Sequence, residues 1–189
     1  ITTDSPEQNT GGTRGLFGAG HPATNKIDFI NIDTTGNAQD FGDRTTSSGN
    51  QSAGCSSRVR GLFAGGRNPG ESNIIDFIEI ASTGNASDFG DLTSTKYGVA
   101  SASNGTRGIF FGGLDGYPSE SNVIEYVTID TAGNGADFGD LTVNRGSPSG
   151  ISNRTRAIAA GGGDDSNGYQ NVIDYWAMAS LGNAVDFGD

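Results

Sequence analysis

The chain has 189 residues, a formal net charge of −11 and 33% apolar residues, with 32 glycines, five prolines and one cysteine. This negative charge opposes nonspecific attraction to nucleic acid and to anionic membrane surfaces, so we expect neither partner. No stretch approaches the roughly 18 apolar residues of a membrane span. The lone Cys55 permits no intramolecular disulfide, so the fold must be stabilised by packing.

Four copies of one pattern account for nearly every residue. Each copy contains an Arg, a short apolar run ending in small residues, an Asn-x-Ile-acid-aromatic segment, a Gly-Asn pair and Asp-Phe-Gly-Asp. The equivalent arginines are Arg14, Arg60, Arg107 and Arg156. The landmarks recur every 46 to 49 residues, and repeats of this length with several strand-like runs are typical of propeller blades. We predict a single domain over 1–189, with repeats of approximately 1–43, 44–91, 92–140 and 141–189.

The first residues of the chain align with the segment that follows each Asp-Phe-Gly-Asp. Residues 1–3 match 92–94 and 141–143, and PEQNT at 6–10 takes the place of a strand. This strand departs most from the pattern, so we expect it to be the least regular. Because the pattern would resume at Ile1 after Asp189, we expect one monomeric chain to close a ring without exposed sheet edges. The alternative is that two copies close an eight-bladed ring.

Within a repeat, four strands can be placed in chain order. In repeat 2 they are a small-residue strand at 52–56, an apolar strand at 62–66, an alternating strand at 74–80 and a strand at 88–93. The small-residue strand recurs at 99–103 and 147–152. Small side chains suit the innermost position, because strands crowd near the axis of a narrow ring. The fold class is therefore all-β, with four antiparallel strands in each of four blades.

The order of these strands resembles the kelch repeat over the whole chain. The resemblance is carried by the double glycines at 65–66, 112–113 and 161–162, followed by an Ile-acid-aromatic strand and a strand centred on an aromatic residue. The chain departs from kelch in having Phe where kelch has Trp, in Gly18-Ala19-Gly20, and in having four repeats rather than six or seven. The phrases RGLFAGG, NVIDY and TGNAxDFGD also resemble repeats of predicted structural or tail-associated proteins of marine tailed bacteriophages.

Three repeated features are interpreted as structural. Asp-Phe-Gly is also a metal-binding motif of protein kinases, but the other kinase motifs are absent, so Phe is expected in the core and Gly at a tight bend. The Gly-Asn pairs are assigned purely to turns. The repeated arginines Arg60, Arg107 and Arg156 are expected to pair with an Asp of a neighbouring Asp-Phe-Gly-Asp.

The sequence gives little support for an enzymatic function. His21 is the only histidine, which removes imidazole clusters for zinc or copper, and Cys55 has no identifiable base beside it. We therefore predict no catalytic residues, no metal and no cofactor. A secreted glycan-active hydrolase with paired carboxylates stays open as an alternative, because acids are plentiful.

The loops that differ between repeats indicate where a partner would bind. They follow the second strand and the fourth strand of each repeat, and antiparallel strands bring both sets to one face. Aromatic and Arg side chains dominate such recognition surfaces. The expected contacts on this variable face are His21, Arg67, Tyr97, Tyr117, Arg145 and Tyr169.

Together these observations predict a four-bladed kelch-like β-propeller that acts as a non-enzymatic binding or structural module. Its expected setting is virion-associated or extracellular, as a phage tail or structural protein whose partners are a host-surface glycan or other virion proteins. A spacer role within a larger assembly is a further alternative.

Overall fold

A computed structural model describes residues 12–47, 51–116, 118–164 and 168–189, with the side chain of Asp164 left out. These residues form β-strands and turns without a helix, which confirms the all-β class. Within the same ranges, no helix is long and apolar enough to cross a membrane.

Each repeat contributes one antiparallel sheet whose strands follow chain order. Repeat 1 contributes β1 (Arg14–Gly18), β2 (Lys26–Asn31) and β3 (Gln39–Asp43). Repeat 2 contributes β4 (Ala53–Ser56), β5 (Arg60–Ala64), β6 (Ser72–Glu79) and β7 (Ser87–Lys96). Repeat 3 contributes β8 (Ala100–Ser103), β9 (Arg107–Phe111), β10 (Val123–Thr128) and β11 (Ala136–Asp140).

Repeat 4 adds a two-stranded hairpin to the same plan. Its sheet contains β12 (Ser149–Ser152), β13 (Arg156–Ala160), β16 (Ile173–Ala177) and β17 (Val185–Gly188). The hairpin is formed by β14 (Gly163–Asp164) and β15 (Gly168–Tyr169). The prediction of four strands is thus confirmed for repeats 2 to 4, whereas the strand predicted at 6–10 in repeat 1 lies outside the described residues.

The Asp-Phe-Gly segment forms a β-bulge in every repeat. In repeat 2, Ile75 pairs with Gly90 and Asp76 pairs with Asp88, so Phe89 is the extra residue of the outer strand. The same shift recurs in the other three sheets. A bulge redirects side chains at the point where it interrupts the pairing. Phe89 and Asp76 are both buried, because the sheet of repeat 2 packs against repeat 1 on the Asp76 side and against repeat 3 on the Phe89 side.

The hydrophobic cores lie between consecutive repeats. Three clusters occur, one at each junction from repeat 1 to repeat 4. At the junction of repeats 2 and 3, Leu62 and Phe89 of the earlier repeat pack with Phe110, Val127 and Ile129 of the later one. A single sheet therefore buries its apolar residues only by stacking on a neighbour, as expected for repeat proteins.

Buried ion pairs join the same neighbours. The cation lies at the end of the outer strand of one repeat or within five residues after it, and the acid follows the register shift in the third strand of the next repeat. The pairs are Arg44 with Asp76 at 2.9 Å, Lys96 with Glu125 at 2.8 Å, and Arg145 with Asp174. Two of these acids also accept from threonines, since the Thr45 and Thr142 hydroxyls donate to the carboxylates of Asp76 and Asp174.

The Gly-Asn pairs connect repeats as well as turning the chain, which corrects their assignment purely to turns. The Gly133 amide donates to the Phe89 carbonyl at 2.8 Å. The Asn134 side-chain oxygen accepts from the Asp91 amide at 3.1 Å. The same two contacts join repeats 1 and 2 through Gly84 and Asn85, and repeats 3 and 4 through Gly182 and Asn183.

Arg14, Arg60 and Arg107 also reach the next repeat, through its main-chain carbonyls. Arg107 donates to the Met178 carbonyl at 2.9 Å, and its guanidinium stacks 4.9 Å from the centre of the Tyr126 ring. Arg60 donates to the Ile129 carbonyl and pairs with Glu79 of its own repeat at 2.9 Å. The predicted pairing of Arg60 with an Asp of Asp-Phe-Gly-Asp is therefore wrong.

Three junctions join four repeats, and in the described part of the chain the fourth junction of a closed ring is not formed. Phe187 of repeat 4 is 55% exposed and Ile32 of repeat 1 is 65% exposed. Their equivalents at the internal junctions, Phe89 and Ile80, are 3% and 7% exposed. The closed four-bladed ring is therefore not confirmed, and the first residues of the chain, which were expected to meet Asp189, lie outside the described residues.

Candidate functional site

The two sets of variable loops meet on one face of the array, as predicted. The Gly66 amide, after the second strand of repeat 2, donates at 2.9 Å to the carbonyl of Lys96, the last residue of the fourth strand. In repeat 3, the Gly113 amide donates to the Arg145 carbonyl at 3.1 Å. These main-chain bonds hold the loops of this variable face against one another.

A cleft of about 720 Å³ opens on the variable face between repeats 1 and 2. Its polar lining consists of His21, Gln51, Ser52, Arg67 and Asn68. Two of the predicted contacts, His21 and Arg67, therefore line the same cleft. Gln51 and Asn68 were not selected from the sequence, although both lie within segments that vary between the repeats.

Arg67 is exposed and rests on an aromatic side chain. Its guanidinium lies 5.0 Å from the centre of the Tyr97 ring, and Tyr97 itself is only 6% exposed. Tyr97 also bridges to Leu114 of repeat 3 through the main chain. This arrangement restricts Arg67 through the cation–π contact, so Tyr97 acts as a support for Arg67 rather than as a large exposed surface.

Arg145 is not on the surface, which corrects its assignment as a ligand contact. Its side chain is fully buried beside Asp174, and Nη1 donates to the carbonyl oxygens of Gly161 and Val172 at 3.2 and 2.7 Å. Burial lowers the pKa of this guanidinium, and the charge and hydrogen bond of Asp174 oppose that effect. Arg145 therefore joins repeats 3 and 4.

Of the two remaining predicted contacts, Tyr169 is not among the residues that line this cleft. Tyr169 is 99% exposed in the hairpin of repeat 4. Tyr117 lies outside the described residues. The structure thus brings together His21 and Arg67, with Tyr97 beneath Arg67, and leaves Tyr169 on a separate part of the variable face.

A second cleft, of about 760 Å³, opens at the other ends of the innermost strands. It is lined by three equivalent turns that precede the repeated arginines, and Arg58 and Arg154 stand in two of them where Gly105 stands in the third. Serines of these innermost strands join the repeats, because the Ser103 hydroxyl donates to the Ser56 carbonyl at 2.6 Å. This axial cleft was missed because the turns were treated as monotonous, although Arg58 and Arg154 were visible in the sequence.

The described lining of the two clefts is rich in guanidinium, amide and hydroxyl groups. No carboxylate is among the described residues that line either cleft. Over residues 12–47, 51–116, 118–164 and 168–189, no group of three or more His, Cys, Asp or Glu side chains is placed to hold a metal ion. Guanidinium, amide and hydroxyl groups instead provide donors for an oxygen-rich ligand.

No protein-family model matches this chain, and no curated protein matches its sequence.

Proposed function

We propose that the chain is a non-enzymatic recognition module in which each repeat is one blade of a kelch-like propeller. Two observations support the blade reading. The innermost strands β4, β8 and β12 lie beside one another, and each sheet follows chain order from the innermost to the outer strand. Radial repetition of four-stranded sheets is the arrangement of a propeller.

The cleft between repeats 1 and 2 is the observation that carries the proposed function. It presents one exposed arginine fixed on an aromatic ring, one imidazole and two side-chain amides. The molecule as a whole carries a net charge of −11, so a cleft whose described lining carries an arginine and no carboxylate is a local exception. We infer that the ligand is a glycan bearing carboxylate or sulfate groups, with its hydroxyls bound by the amides.

The proposed setting is the virion of a tailed bacteriophage. The support for it is the resemblance of RGLFAGG, NVIDY and TGNAxDFGD to repeats of predicted structural and tail-associated proteins of marine phages. In that setting the glycan belongs to the host surface, and the remaining loops of the variable face are free to contact other virion proteins.

A glycan-array screen with two matched variants tests this function. Arg67→Ala removes the cation of the cleft, whereas Arg58→Ala removes an arginine from the axial cleft on the opposite side. We expect the wild type to bind acidic glycans, Arg67→Ala to lose at least tenfold in affinity, and Arg58→Ala to bind as the wild type does. Loss of a charge-assisted contact of about 1.5–3 kcal/mol supports this magnitude.

Other outcomes of the screen separate the alternatives. Binding that is lost in Arg58→Ala and kept in Arg67→Ala would move the site to the axial cleft. Hydrolysis of a bound glycan would favour the glycan-active enzyme. Binding to no glycan would contradict the proposal and favour a structural or spacer role.

A further inference from the structure

The three internal junctions are built from the same contacts, and in the described part of the chain the two ends of the array present those contacts without a partner. At each junction the earlier repeat offers a forward surface, which includes the bulged Phe and the repeated Arg. The later repeat offers a rear surface, which includes the apolar residue after its third strand and the Gly-Asn pair. Among the described residues, nothing covers the forward surface of repeat 4 or the rear surface of repeat 1.

Both open surfaces carry one exposed phenylalanine and one exposed isoleucine. On the forward surface of repeat 4, Phe187 and Ile151 are 55% and 66% exposed. On the rear surface of repeat 1, Phe17 and Ile32 are 59% and 65% exposed. The residues equivalent to Phe17 and Ile32 in repeat 3, Phe110 and Ile129, are buried in the junction with repeat 2.

The backbone contacts of the internal junctions also have counterparts at the two ends of the array. A Cβ added at Gly90 would lie 2.5 Å from the carbonyl oxygen of Gly133, and at Gly42 and Gly139 the next repeat's glycine carbonyl is still closer. At the equivalent Gly188 of repeat 4, nothing lies within 4 Å. Within the described part of the chain, Gly36 and Asn37 of repeat 1 likewise lack the bonds that Gly133 and Asn134 make.

The ends do not cover each other within the described part of one chain. Phe187 and Ile32 are both more than half exposed, although the internal junctions bury their equivalents Phe89 and Ile80. A partner that presents the same kind of junction surface would bury both.

We propose that a second copy of this chain covers them, with repeat 4 of one copy packed on repeat 1 of the other. Two copies arranged in this way cover both pairs of open surfaces with two equivalent head-to-tail junctions. The smallest closed form is then an eight-bladed ring with twofold symmetry. This association is independent of the proposed ligand and of its cleft, which lies at the internal junction of repeats 1 and 2.

Sedimentation velocity over a range of protein concentrations tests the association. The salt should be about 0.15 M, so that the repulsion between two negatively charged copies is screened. We expect the wild type to sediment with the mass of two copies at high concentration and to dissociate on dilution.

Two variants block the new junction and one matched variant spares it. Gly188→Ala adds a Cβ where a second copy's Gly36 carbonyl would lie, and Phe187→Ser removes the exposed aromatic ring. Gly36→Ala is the control, because a Cβ at this position or at its junction equivalent Gly133 meets nothing within 4 Å, and neither glycine has a positive φ. We expect at least tenfold weaker association for Gly188→Ala and Phe187→Ser, and unchanged association for Gly36→Ala.

A separate measurement checks that the variants fold. Circular dichroism and urea unfolding should show that Gly188→Ala and Phe187→Ser are folded as the wild type is. Association of the wild type that both variants weaken and the control keeps would support the proposal. A wild type with the mass of one copy at every concentration, or association that neither variant weakens, would overturn it.

Discussion

At the scale of single residues, the buried acid of the third strand shows how one side chain depends on its neighbouring repeat. Asp174 is fully buried and accepts from Arg145, from the Thr142 hydroxyl at 2.6 Å and from the Thr142 amide at 3.1 Å. Asp28 has the same position in repeat 1, is only partly buried, and has no cation partner among the described residues. The same residue type thus occurs with and without the ion pair.

Asp174→Ala and Asp28→Ala therefore form a matched pair of substitutions. Removing Asp174 leaves the buried charge of Arg145 without its partner, which costs about 3–5 kcal/mol of unfolding free energy. Removing Asp28 deletes no ion pair, so we expect a change of about 0.5 kcal/mol or less. Urea unfolding of the two variants measures the difference. Equal losses would contradict a structural role for the ion pair.

Cys55 gives a second prediction at this scale. Burial raises the pKa of its thiol from 9.0 to about 12. The thiolate reacts and the thiol does not, so near pH 8.5 native alkylation should be on the order of 10³-fold slower than in the unfolded chain. Between pH 9 and 12 the native state keeps a proton that the unfolded state loses, so this group lowers the unfolding free energy as pH rises through that window.

Alkylation by iodoacetamide, with and without urea, measures the first effect. The second is measured as the difference in pH dependence between the wild type and Cys55→Ala, which lacks the titrating group. Similar alkylation rates in the native and unfolded chains would show that the thiol is accessible and ionises normally.

At the scale of elements, the bulged outer strand fixes how closely two repeats approach. The glycine after the bulged Phe has a positive φ, 146° at Gly90, and its missing Cβ makes room for the next repeat's glycine carbonyl. A side chain at this position meets both backbone strain and a backbone clash. The motif Asp-Phe-Gly-Asp is therefore a packing device between sheets.

Gly90→Ala should destabilise the protein by about 1–3 kcal/mol, because the added Cβ forces the two repeats apart. Gly133→Ala is the control from the other side of the same contact, since a Cβ there meets nothing within 4 Å and its φ is not in the left-handed region. Thermal and urea unfolding of both variants test this. If Gly133→Ala proved as destabilising as Gly90→Ala, the close approach at Gly90 would not be the cause.

The strands themselves could be predicted from the sequence, because the repeats give the same apolar spacing several times over. The extra residue at Phe89 could not be predicted, since a bulge is defined by pairing with a partner strand.

The burial of Arg145 was not predicted for a related reason. Its partner Asp174 is 29 residues away, and the spacing from the outer strand to the cation changes between Arg44 and the later repeats. Of the predicted ligand contacts, His21 and Arg67 line the same cleft because equivalent loops of adjacent repeats are neighbours.

At the scale of the whole molecule, each repeat is stabilised by the repeats that pack against it. Repeats 2 and 3 have a junction on both sides, whereas repeats 1 and 4 each have one internal junction. Stability in such arrays is approximately a sum of repeat terms and junction terms. The terminal repeats are therefore expected to open first, and covering them should protect the whole array.

Amide hydrogen exchange measures the opening of the terminal repeats through one equivalent glycine amide in each repeat. The amides of Gly84, Gly133 and Gly182 each donate at 2.8 Å to the bulged Phe of the preceding repeat, and the Gly36 amide has no such acceptor among the described residues. In dilute wild-type protein, Gly36 should exchange rapidly while Gly133 is protected. Raising the concentration should slow exchange at Gly36 if a second copy supplies the Phe187 carbonyl. Protection of Gly36 in dilute, single-copy protein would instead mean that repeat 4 closes on repeat 1 of the same chain.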